Sequence, residues 1–119
     1  MADELLVERS AAFPRYEVLA LTGPLTASNV PVFGNAMRRE QSAQMLIIDL
    51  TEVPYMDSFG LGVLVSAYVS RQKAGHGTVL SGITPRVQKL LDITRVRDIF
   101  LIFSTTEEAV AALRGAAEA

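Results

Sequence analysis

Within "VPYMDSFGLGVLV", residues 53–65, a serine stands between an aspartate and a phenylalanine, directly ahead of two glycines and an apolar run. A hydroxyl there can cap a helix, serve as a nucleophile or accept a phosphoryl group. Nucleophilic catalysis finds little support around it. A nucleophile elbow needs G-x-S-x-G, whereas the chain reads Met56-Asp57-Ser58-Phe59-Gly60, and His76 is the one histidine that could act as a base. Nucleotide fingerprints fail as well: "GLGVLV" lacks the third glycine of a dinucleotide turn, and no P-loop lysine is present. With no cysteine there is no disulfide, thiol nucleophile or thiolate metal site. Neither a catalytic centre nor a resident metal or cofactor is expected, and the chain does not read as an enzyme.

What remains to be weighed is the place of this hydroxyl at a helix start. If a helix begins at Ser58, the hydroxyl lies among amide N–H groups that have no intrahelical partner. A serine in such a place ordinarily serves as a cap. Asp57 can fill that role here, however, and Gly60 and Gly62 occupy positions where stronger helix formers would each be better by ~1 kcal/mol. Two readings of the glycines stay open: close packing of the helix on its own sheet, or a bared surface that lets another chain approach Ser58.

Other candidate residues carry less. His76, between two glycines, reads as a solvated turn. Asp49, at the end of a buried strand, is expected to face the same edge as the Ser58 loop; it could organise that loop by hydrogen bonds, but a purely structural role is the favoured reading. Arg86, Lys89, Arg95 and Arg97 read as a solvated helix face.

The elements that would position Ser58 follow from hydrophobic periodicity. "ELLVERS" and "RYEVLALTG" are two strands joined through "AAFP", an antiparallel opening pair stopped by Gly23-Pro24. Val30, Phe33, Ala36 and Met37 fall at helical spacing, so a helix is expected from Ser28 to about Gln41, with Pro31 tolerated in its first turn. "MLIIDL" is apolar almost throughout, as in a strand covered on both faces. Leu61, Leu64, Val65 and Tyr68 form one stripe of a helix from about Ser58 to Ala74, which "GHG" ends. "TVLSG" is a further strand. Thr84-Pro85 reads as an N-cap and first-turn proline of a helix through Val87, Leu90 and Leu91. "DIFLIF" closes the strands, and Thr105 and Glu108 stand at capping-box spacing before a last helix. Strand and helix alternate from residue 45 onward, so the fold class is α/β, with a mixed and largely parallel sheet of about five strands and about four helices.

Whole-chain properties agree with one domain spanning residues 1–119. That length supports one hydrophobic core, and the 50% apolar and 20% charged fractions are those of an ordinary globule. A formal charge of −2 gives no electrostatic reason to expect nucleic acid. No run approaches the ~18 apolar residues of a membrane span, and the acidic start does not resemble a signal peptide, so a cytoplasmic location without membrane insertion is expected.

From "LIIDLTEVPYMDSFGLGVLV" through "ITPRVQKLLDITRVRDIF" the chain closely resembles the STAS domain of the anti-sigma factor antagonists, a bacterial class, most specifically in D-S-x-G-L-G after an "IIDL"-type strand. The resemblance runs from the first strands to "TTEEAV". It implies transcription regulation by partner switching. The unphosphorylated protein would bind an anti-sigma factor with serine kinase activity and release a sigma factor; phosphorylation at Ser58 would switch it off, and a metal-dependent serine phosphatase would reset it. The implied docking surface comprises Asp57, Ser58, Phe59, Gly60, Leu61 and Gly62, with Gly23 and Leu25 of the loop after the second strand. Two features depart from the family pattern: Phe59 replaces a small hydroxyl residue, and Gly23-Pro24-Leu25-Thr26 replaces G-E-L-D and its two acids. The same fold would also suit an accessory subunit of a membrane transporter or a scaffold piece of a stress-sensing complex, and a nucleotide or lipid in the groove near Ser58 is an outside reading.

Overall fold

The structure, a computed structural model, describes residues 4–39 and 42–118. Its order is β1 (Leu6–Phe13), β2 (Tyr16–Thr22), α1 (Val30–Arg39), β3 (Met45–Glu52), α2 (Ser58–Lys73), β4 (Gly77–Ser81), α3 (Pro85–Ile93), a 3-10 turn (Arg97–Ile99), β5 (Ile102–Phe103) and α4 (Thr106–Glu118). The five strands form one sheet in the order β1-β2-β3-β4-β5; β1 is antiparallel to β2 and every other pair is parallel. This is the expected mixed α/β architecture.

Strand alternation divides the core in two, because successive side chains of a strand point to opposite faces. Leu46, Ile48 and Leu50 of β3 join Leu19, Leu21, Phe33, Leu61, Leu64, Leu80, Val87 and Leu91 in the larger cluster, which is closed by α1, α2 and α3. Ile47 points the other way and packs with Val18, Val79, Ala109 and Leu113 under α4. Four residues of "MLIIDL", Leu46, Ile47, Ile48 and Leu50, are fully buried, which is why the run reads apolar rather than alternating.

Several boundaries move from the sequence expectation. The turn between the first strands is not "AAFP": β1 continues through Phe13, whose ring stacks on Tyr16 at 4.2 Å between centroids, and the chain reverses at Arg15 with φ 68°. Helix α1 starts at Val30, two residues late, because Asn29 is committed to the preceding turn, where its Oδ1 accepts from the Thr26 N–H at 2.8 Å. Its expected end at Gln41 lies outside the described residues.

Thr84 occupies the cap position of α3 with extended backbone, but its hydroxyl donates to the Val53 carbonyl at 3.1 Å instead of capping. Only Ile102 and Phe103 of "DIFLIF" are strand. The residues before them make a 3-10 turn that drops Phe100 into the core, edge-on to Tyr68 at 5.2 Å. Thr105 does accept from the Glu108 N–H, at 3.0 Å.

Candidate functional site

After β3 the chain turns, with the Val53 N–H bonded to the Leu50 carbonyl at 3.0 Å and Val53 fully buried. Residues 55–57 then run alongside the loop that follows β2. Leu25 donates to the Tyr55 carbonyl and its own carbonyl accepts from the Asp57 N–H, both at 3.2 Å, a short parallel bridge centred on Leu25 and Met56. The loop and the start of α2 thus share backbone bonds.

Asp57 has the extended backbone of an N-cap, φ −104° and ψ −174°. Its Oδ1 accepts from the Gly60 N–H at 2.9 Å, and its carbonyl accepts from the Leu61 N–H at 2.9 Å. Its Oδ2 reaches across to the loop and accepts from the Ala27 N–H at 3.0 Å. Desolvation alone would push this carboxyl up, but the amides of Gly60, Ala27, Phe59 and Asp57 itself outweigh it and hold the group below its ordinary range. Capping is therefore done by Asp57. Ser58 is the first helical residue, exposed, with its Oγ outside the side-chain hydrogen bonds found among the described residues.

The eight residues implied by the family resemblance fall into two layers. Facing solvent are Ser58, Phe59 at 65% exposure and Gly62, with Asp57 half-buried between them and the loop. Beneath them Leu25, Gly60 and Leu61 are buried, so they shape the surface from below. Gly23 lies at the base of the loop with φ +112°, where a Cβ would sit 2.1 Å from the Glu4 carbonyl oxygen.

The two open readings of the helix glycines each hold at one position. A Cβ on Gly60 would lie 2.1 Å from the Leu25 carbonyl oxygen, so Gly60 serves close packing. Among the described residues nothing lies within 4 Å of a Cβ on Gly62, which leaves the helix surface bare there.

One alternative falls and one expectation is corrected. Asp49 does not organise the Ser58 loop by hydrogen bonds: the period of two sends it to the opposite face from Ile48 and Leu50, where its Oδ1 accepts from Thr51 N at 2.9 Å and Thr51 Oγ1 at 2.6 Å, a local structural role. It lines a cavity of about 400 Å³ with Thr51, Glu52, Gly82 and residues 104–107, on the α4 side of the sheet and without Ser58. His76 is not a solvated turn. It is half-buried, its N–H donates to the Arg71 carbonyl at 2.8 Å, and its Nδ1 is buried without a hydrogen-bond partner among the described residues.

Arg86, Lys89, Arg95 and Arg97 are all exposed, but only Arg86 and Lys89 lie on helix α3; Arg95 follows it with φ 59° and Arg97 opens the 3-10 turn, pairing with Asp92 at 3.3 Å, while Arg86 lies 4.8 Å over the Tyr55 ring. What the sequence reading missed is Ala27, because a bond spanning thirty residues through a backbone N–H leaves no side-chain signature.

Comparison with known proteins gives a consistent result. The family model described as the STAS domain matches residues 11–109. The anti-sigma-B factor antagonist of Listeria monocytogenes is 38% identical over 84 residues, covering 69% of this chain and 74% of that protein. The anti-sigma-B factor antagonist of Bacillus subtilis is 34% identical over 92 residues, covering 76% and 84%. Among solved structures, an anti-sigma factor antagonist from Mycobacterium paratuberculosis superposes with a TM-score of 0.85 at 22% identity, over 96% of this chain and 97% of that one, a likeness of fold. Among the described residues no helix is long and apolar enough to cross a membrane.

Proposed function

Because this chain belongs to the STAS domain family, we propose that it acts as an anti-sigma factor antagonist that binds its partner through the surface around Ser58 and is switched off by phosphorylation there. The observation that carries the reading is an exposed serine hydroxyl at the first turn of α2 whose capping duty is already discharged by Asp57. The partner is an anti-sigma factor with serine kinase activity. In the transfer, Ser58 Oγ bonds to the γ-phosphorus of the kinase's nucleoside triphosphate as the bond from that phosphorus to the β–γ bridging oxygen breaks, the nucleoside diphosphate leaves, and the hydroxyl proton passes to a base of the kinase. This protein is the substrate and contributes no catalytic group. A metal-dependent serine phosphatase restores the hydroxyl.

The switch has a direct electrostatic basis. A phosphoryl group brings ~−1.5 to −2 charge at pH 7. At a helix N-terminus the free N–H groups and dipole tolerate that charge, so the fold survives. Beside the Asp57 carboxylate, the dianion must be desolvated against a partner shaped for a neutral hydroxyl. A loss of ~3 kcal/mol already weakens binding more than a hundredfold. Phe59 and Gly62 fit the same surface: an exposed aromatic ring as an anchor, and a bare helix backbone on which a partner can lie.

The test is affinity capture from host lysate with wild type, Ser58→Ala and Ser58→Asp as baits. A kinase-fold protein should be held by wild type and Ser58→Ala and lost with Ser58→Asp. Equal retention by all three would reduce Ser58 to an ordinary helix residue and end the proposal.

A further inference from the structure

The loop after β2 is internally braced. The Asn29 side chain, almost fully buried, accepts from the Thr26 N–H and donates to the Pro24 carbonyl, and the Asn29 and Val30 N–H groups both bond to the Thr26 carbonyl at 3.0 Å. What this folded loop exposes is Ala27 and Ser28, with Ser28 Oγ 3.0 Å from Thr26 Oγ1. Between this hydroxyl pair and the first turn of α2 stands the Asp57 carboxylate, one oxygen on each side: Oδ1 on Gly60 N and Oδ2 on Ala27 N. The absent Cβ of Gly60 is what lets the loop's Leu25 carbonyl come close enough for this arrangement.

We propose that Asp57 is a positioning residue: its carboxylate fastens the loop of residues 23–28 to the first turn of α2, so that Thr26, Ser28, Ser58 and Phe59 meet a partner as one preassembled surface. The inference rests on the proposed function for its binding half and on geometry alone for its structural half. A carboxylate has an acceptor for each amide, and Asp57 uses one oxygen on the helix and the other on the loop. Preassembly favours binding because the loop is ordered before the partner arrives.

Asp57→Asn separates this role from simple capping. Asparagine is as good an N-cap as aspartate, and its single oxygen can stay on Gly60, but its NH2 group then meets the Ala27 N–H donor to donor. Amide hydrogen exchange by NMR should show Ala27 exchanging at least ~tenfold faster in Asp57→Asn while Gly60 keeps its protection. Affinity for the kinase-fold protein captured by wild type should fall by roughly tenfold, about 1.4 kcal/mol. An Ala27 amide as protected as in wild type overturns the proposal, and so does a loosened loop with unchanged affinity. Should the variant not fold, wild type serves instead: on acidification the Ala27 and Gly60 amide proton shifts must move together with one midpoint below about 3.9, the ordinary aspartate value, and an Ala27 shift indifferent to that titration overturns the proposal. Failure to capture any kinase-fold protein would sink the proposed function and leave the exchange result standing.

Discussion

Gly60 and Gly62 are two residues apart in one helix and answer to opposite constraints. At Gly60 an added methyl would collide with the Leu25 carbonyl oxygen, a backbone atom that cannot rotate aside. Gly60→Ala should therefore destabilise by about 3 kcal/mol, the upper range for overpacking, and displace the loop that carries Ala27. At Gly62 the space is open, and replacing glycine by alanine inside a helix should raise stability by ~0.5–1 kcal/mol while weakening partner binding. Denaturant unfolding of the two variants checks both signs. If Gly60→Ala proved as stable as wild type, the close approach of loop and helix would not exist in solution. Residue-scale chemistry at this site was partly legible beforehand. The Asp57 cap could be read because capping spacing is local in sequence. The roles of the two glycines could not be separated, because what a missing side chain makes room for depends on a loop 35 residues earlier.

At the scale of elements, the readable features were those carried by periodicity. β3 and α2 emerged with nearly their observed limits because burial on both faces of one, and on one stripe of the other, leaves a composition signature. The ends of β1 and β5 did not, since ring stacking of Phe13 on Tyr16 and the inward turn of Phe100 are tertiary decisions. Asp49 is a related case: its strand is legible, but the partner of its carboxylate, Thr51, depends on the face the side chain takes.

The junction of α2 with β4 holds a feature that no periodicity reveals. Arg71, 2% exposed, donates from Nε to Thr78 Oγ1 at 2.9 Å and from Nη2 to the carbonyls of Ala43 and Gly77 at 2.8 and 2.9 Å. One side chain thereby ties the end of α2 to the starts of β3 and β4. Arg71→Leu would leave those buried acceptors unpaired and should cost at least about 2 kcal/mol, read as a lower denaturation midpoint with unchanged m-value. A midpoint equal to that of wild type would show the tie to be dispensable.

On the scale of the whole molecule, the two faces of the sheet are unequally covered. Three helices close the larger cluster, whereas α4 alone covers Val18, Ile47 and Val79. Leu113→Ala should weaken that single lid by about 2 kcal/mol. Its signature would be graded: amides of residues 106–117 exchange faster while those of β3 keep global protection. Uniform loss of protection through both regions would mean that α4 and the sheet unfold as one unit. Ser58 and its loop belong to the other face and should keep their geometry in this variant.

The strand order has a consequence for the birth of the molecule. Because β1 to β5 stand side by side in the order in which they are translated, each strand leaving the ribosome finds its hydrogen-bonding edge already waiting and never has to insert between earlier strands. Pairing stays between neighbours in time as well as in space, which keeps loop-closure entropy low at every step. The backbone that frames Ser58, from the loop after β2 to the end of α2, precedes β4, β5 and α4 in the chain, so the surface around Ser58 is made before α4 closes the far side of the sheet.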